Sequence, residues 1–138
     1  MSVPEELKQA YENADYAVFF EPELVLRIGE PSERLDRLML AAEVATAAFI
    51  TACNPRSERR ADAENRAAAE ALEGLVTAAG YPRHRGEGRD PDGLHPPEPS
   101  LLILGILRAN AEALGRLFGQ NAIVFVERGR APELVFLS

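Results

Sequence analysis

The stretch Ser100-Leu101-Leu102-Ile103-Leu104-Gly105-Ile106 is apolar at odd and even positions alike. A β-strand sends alternate side chains to opposite faces, so such a run needs cover on both sides of its sheet. Thr46-Ala47-Ala48-Phe49-Ile50-Thr51-Ala52 has the same character and is stopped by Asn54-Pro55. Its alanines also suit a helix. The residue before a proline is pushed toward extended backbone, however, and this favours a second buried strand. Two strands of this kind require a layered fold with helices packed on a sheet.

The remaining pattern supplies those layers. A short helix is expected at Pro4–Asn13, capped by Ser2 or opened by Pro4. A hairpin follows, with strands Tyr16–Phe20 and Leu24–Ile28 about Glu21-Pro22-Glu23. Ser32 is placed to cap a helix running to about Glu43, with Leu35, Leu38, Met39 and Ala42 on one face. A longer helix spans about Ala61–Ala79, with the stripe Ala61, Ala68, Leu72, Leu75, Val76 and Ala79, and Gly80 stops it. Leu107, Ala111, Leu114, Leu117 and Phe118 recur at helical spacing from Arg108 onward, and a final hairpin joins Ala122–Val126 to Pro132–Leu137. The expected fold class is α/β (α+β): one mixed β-sheet of about six to seven strands with three to four helices on it. Residues 1–138 read as one domain, with a Pro/Gly-rich loop at 82–99, of which 82–88 is open to a strand reading while 89–99 reads as a loop.

Charge and composition narrow the function. The chain carries 15 basic and 22 acidic side chains, a net charge of −7, which opposes non-specific attachment to nucleic acid or anionic lipid. The longest uncharged apolar stretch, Val44–Cys53, is far short of the ~18–20 residues of a bilayer span. A lone cysteine and an N-terminus without signal-peptide character make the cytoplasm the expected compartment. His84 and His95 stand in different surroundings, read as loops, and lack metal-ligand spacing. Glu87, Asp90, Asp92 and Glu98 would suit an oxygen-only Mg²⁺ site, but Asp90-Pro91-Asp92-Gly93 is also a plain turn, so no metal is expected. There is no nucleotide-binding glycine loop, no Walker lysine and no nucleophile elbow, and no cofactor is expected.

Some polar residues are harder to explain as scaffold. Asn54 ends an apolar strand just before a helix, where α/β sheets gather ligands. Asn65 falls on the apolar stripe of that helix, and a core-facing amide without partners costs ~1–3 kcal/mol. Glu98 and Ser100 open the most apolar strand, while Gln120 and Asn121 open the next. Burial raises a carboxylate's pKa toward working pH, which makes Glu98 the candidate general base. Arg56 or Arg89 supplies positive charge. The leading expectation is a small-ligand or anion-binding domain or a cryptic enzyme. The alternative is a protein-interaction module or homodimer pairing through the apolar terminal strand Leu134–Leu137.

Several of these segments also form a family pattern. Asn54-Pro55, Ala63-Glu64-Asn65, Gly86 to Gly93, Pro97-Glu98-Pro99-Ser100 with Leu104-Gly105, and Leu114 through Val124 resemble the bacterial family known as domain of unknown function 3293. The likeness runs over roughly residues 10–137, and the last two segments are its most specific part. His95 departs from it, standing where the family leads one to expect tryptophan. The resemblance implies a small, single-domain, cytoplasmic bacterial protein, and it brings no activity, cofactor or catalytic residue.

Overall fold

A computed structural model describes residues 3–137. Helix α1 (Glu5–Asn13) begins after Pro4; the expected cap Ser2 lies outside the described residues. Next come β1 (Asp15–Val18), β2 (Leu24–Leu26) and α2 (Glu33–Ala41). The Ser32 hydroxyl accepts from the Leu35 N–H at 3.1 Å, the cap its position implied. The chain continues through β3 (Thr46–Thr51), a single 3₁₀ turn at Pro55–Ser57, α3 (Asp62–Ala78), β4 (Arg83–Arg89) and β5 (Glu98–Leu104). It closes with α4 (Arg108–Leu117), β6 (Ala122–Glu127) and β7 (Glu133–Phe136).

The seven strands form one sheet in the order β2-β1-β4-β5-β3-β6-β7, every neighbouring pair antiparallel. The α+β class stands, with four α-helices and seven strands, but the mixed sheet is corrected to a purely antiparallel one. The reason lies in how the crossovers interleave. β3 and β4, joined by α3, run the same way on either side of β5; β5 and β6, joined by α4, run the same way on either side of β3. Each parallel pair is thus separated by a strand of opposite direction. This is the split βαβ arrangement of ferredoxin-like folds. A hairpin (β1, β2) extends it beyond β4, and β7 extends it beyond β6.

Alternation along the strands builds two cores. On one face Ala48, Ile50, Leu101, Ile103, Ile123 and Phe125 meet Leu72 and Val76 of α3 and Ala111 of α4. On the other, Ala47, Phe49, Leu102, Leu104, Val124 and Val126 meet Leu35 and Met39 of α2. Ser100 to Leu104 are all buried, as a doubly covered strand requires. The helix stripes were read too broadly at their margins: Leu75, Leu107 and Leu117 are 46%, 62% and 67% exposed. No helix among the described residues is long and apolar enough to cross a membrane.

Two further boundaries differ from expectation. Within the Pro/Gly-rich stretch 82–99, Arg83–Arg89 forms the strand that 82–88 allowed, and the expected loop 89–99 is shorter, with Asp90–Pro97 irregular before β5 begins at Glu98. β4 (Arg-His-Arg-Gly-Glu-Gly-Arg) has poor intrinsic strand preference, and pairing with β1 on one side and β5 on the other imposes the conformation. His84 is therefore a half-buried strand residue, its ring 4.6 Å from that of Phe20, and burial holds its pKa down. Gly86 is required here, because a Cβ would run into the Ala17 carbonyl oxygen of β1. The first hairpin is shorter than its β-branched and aromatic residues suggested, ending at Val18 and Leu26.

Candidate functional site

The chain leaves β3 in an uncommon backbone state. Asn54, Arg56 and Ser57 have φ of 46°, 57° and 62°, a left-handed conformation that costs a non-glycine residue roughly 1–2 kcal/mol. Three elements hold it. From α3, the Asn65 side chain accepts from the Asn54 N–H at 2.9 Å and donates to Asn54 Oδ1 at 2.8 Å. Within the loop, Asn54 Oδ1 also accepts from the Arg60 N–H, and the Asn54 carbonyl accepts from the Ser57 N–H. From the α4–β6 turn, three successive residues reach across. The Gly119 carbonyl accepts from the Arg56 N–H at 2.7 Å, Gln120 Nε2 donates to the Cys53 carbonyl at 3.0 Å, and Asn121 Nδ2 donates to Ser57 Oγ at 3.1 Å. Gly119 has φ +67°, and a Cβ there would sit 3.0 Å from Pro55 Cβ, so glycine lets the two turns dock without strain.

The antiparallel register of β3 and β5, which sets Thr51 opposite Ser100, brings Glu98 to the same place. Asn54 Nδ2 donates to Glu98 Oε2 at 2.6 Å. Oε1 of Glu98 has no hydrogen-bond partner among the described residues. Burial raises the Glu98 carboxyl above the usual carboxylate range, opposed by the Asn54 hydrogen bond and by His95 nearby. Thr51 Oγ1 donates to the Pro99 carbonyl at 2.8 Å, and Ser100 Oγ donates to the Glu98 carbonyl at 2.8 Å. Ser100 therefore faces its own strand and braces the Glu98 backbone. Cys53 is buried beside this network, and burial pushes its thiol pKa up, away from a reactive thiolate.

Asn54, Asn65, Glu98 and Gln120 thus converge on one loop, and Asn121 holds its far end. The two arginines behave differently from each other. Arg89 is committed: Nε donates to Glu87 at 2.6 Å, while Nη1 and Nη2 grip Glu23 at 2.6 and 2.7 Å. Its charge is matched twice, so it is not the free cation the sequence suggested. Arg56 forms no ion pair among the described residues, and neither does Arg59. Beside Arg59 an open cleft of about 540 Å³ is lined by Arg89, His95 and the turn that carries Leu94 as well. Among the described residues no three His, Cys, Asp or Glu side chains are grouped to hold a metal. Glu87 pairs with Arg89, Glu98 with Asn54, and Asp90 accepts from the N–H groups of Asp92 and Leu94 in its own turn.

Two tyrosines that carried no signal in the sequence take part as well. The Tyr11 hydroxyl lies 2.6 Å from Ser57 Oγ, and Asn121 Nδ2 also donates to it at 3.4 Å. The Tyr16 hydroxyl donates to the Tyr11 carbonyl at 2.6 Å, its pKa raised by burial and by the neighbouring Tyr11 and Glu98. Tyr11 and Asn121 are 110 positions apart, and no local pattern relates them.

Fold and site together define a small α+β domain in which a ferredoxin-like centre carries a left-handed polar loop at the end of β3. The chain belongs to the family described as Protein of unknown function (DUF3293), whose model matches residues 50–123. That segment contains Asn54, Asn65, Glu98 and the Gly119–Asn121 turn, whereas Tyr11 and Tyr16 lie outside it. Nothing among curated proteins or solved structures matches the chain.

Proposed function

We propose that this domain binds a small anionic molecule at the 54–60 loop, with Arg56 and Arg59 as its cations. One observation carries the reading: a loop bearing two unpaired arginines is held in a left-handed conformation by side chains from two other elements, Asn65 and Gln120-Asn121. Backbone strain of this kind persists where surroundings over-determine it, and it concentrates at ligand clamps. Asn54, Asn65 and Gln120 are positioning residues in this reading, because each bonds to protein. Where binding leads to turnover, Glu98 is the acid–base group, with a free Oε1 and a raised pKa. A single cysteine, reduced and buried, suits a cytoplasmic setting.

A titration with inorganic phosphate and acetate followed by amide NMR tests the reading. Shifts confined to residues 54–60 and lost in Arg56→Ala/Arg59→Ala support it; no shift at millimolar anion, or unchanged shifts in the double variant, refutes it. A second reading rests on the sheet edges. β2 and β7 each have one unpaired side, and a second copy of the chain can add there. Concentration-dependent light scattering that reports only monomer removes it.

A further inference from the structure

We infer that the ligand is an organic anion with a single charged group and an apolar or aromatic body, its head on Arg59 and its body in the adjoining cleft; this rests on the anion reading above. The cleft is open, about 540 Å³, and wide enough for the body of a small organic molecule to lie along its wall. One wall is apolar and fixed in advance. Leu94 is 78% exposed, and its N–H donates to Asp90 Oδ2 at 3.0 Å, so the turn holds the side chain out in water. Pro96 and Pro97 follow on the same lining, with backbones stiffened by their rings. A large apolar side chain kept in solvent beside stiff neighbours offers area to a partner at little ordering cost.

The charge on this lining limits the head group. Both ends of the Arg89 guanidinium are engaged by Glu23 and Glu87, so Arg59 is the unpaired guanidinium of the cleft. Asp90 and Glu87 on or beside the same wall disfavour a polyanion. One carboxylate or phosphate monoester fits; a triphosphate does not. His95 offers an imidazole to either the head or a ring.

The experiment is an amide NMR titration with benzoate, phenyl phosphate, acetate, inorganic phosphate and benzyl alcohol. Benzoate is expected to bind about tenfold tighter than acetate, from the apolar area that the body covers, and to shift Leu94 and His95 together with Arg59. Leu94→Ser, an exposed change that leaves the fold intact, should bring benzoate down to the level of acetate, while Arg59→Gln should lose both. Equal binding of acetate and benzoate overturns the inference and leaves the anion reading standing. Benzyl alcohol binding as well as benzoate overturns the role of Arg59. Failure of every anion to shift the loop overturns both.

Discussion

Asn65 gives the sharpest test of how the loop is held. Replacing it with alanine removes two hydrogen bonds, to the Asn54 N–H and to Asn54 Oδ1, and leaves a half-buried N–H without its partner. At about 1 kcal/mol per bond, with part of a ~1–3 kcal/mol desolvation penalty added, the loss is ~2–3 kcal/mol. Unfolding entropy near 2.1 cal/mol/K per residue over 138 residues makes each kcal/mol worth ~3.5 °C, so Tm falls by ~7–10 °C. Asn65→Asp sharpens the test. Its carboxylate still accepts from the Asn54 N–H, but its second oxygen now faces Asn54 Oδ1, which already accepts from the Arg60 N–H. Protonation restores a donor there, so folding raises the pKa of the new acid. Its stabilising contribution is complete below the unfolded pKa and is lost as pH rises through the folded one. Calorimetry at pH 4.5 and pH 8 should therefore show the aspartate variant closer to wild type at the lower pH. An alanine variant that melts with wild type, or an aspartate variant whose deficit is the same at both pH values, refutes this account of the loop.

Glu98→Gln keeps an acceptor for Asn54 Nδ2 and removes the buried charge. Because folding raises the Glu98 pKa, wild type loses stability relative to the glutamine variant as pH climbs past the carboxylate range; paired thermal melts at pH 4 and pH 8 should show the variant's advantage only at the higher pH. Gly119→Ala puts a Cβ on a φ of +67° and against Pro55, and should lower Tm by ~4–7 °C, corresponding to ~1–2 kcal/mol. Gly86→Ala drives a methyl group into the β1 backbone, where neither strand can yield without breaking the ladder; a cost above ~3 kcal/mol and loss of hydrogen-exchange protection in 15–18 and 24–26 are expected.

Much of the architecture was legible because it rests on local signals. The doubly apolar run at 100–106 requires a covered central strand, and Ser32 and Gly80 mark helix ends by side-chain and backbone chemistry alone. Strand direction was not legible, since it depends on which strand each crossover jumps, and composition does not encode that. β4 was legible only as one of two readings for 82–88, because its neighbours, more than its own residues, make it a strand. At the site, Asn54, Asn65 and Glu98 stood out as polar residues at the ends of apolar elements, and they do meet. The commitment of Arg89 to Glu23, 66 positions away, and the seat of Tyr11 beside Ser57, 46 positions away, were hidden because both join segments that only the tertiary fold brings together.

The stretch 50–123 starts and stops at one seam of the sheet. It opens in β3 and ends in β6, two strands that lie side by side, with Phe49 facing Val124 across the ladder. A length of polypeptide whose ends are neighbours is already nearly a closed ring. Joining those ends would have to cross only one ladder, the one between β3 and β6. Helix α2 lies outside the stretch, yet its Leu35 and Met39 cover the second face of the sheet, so the ring depends on what precedes it to keep that face dry.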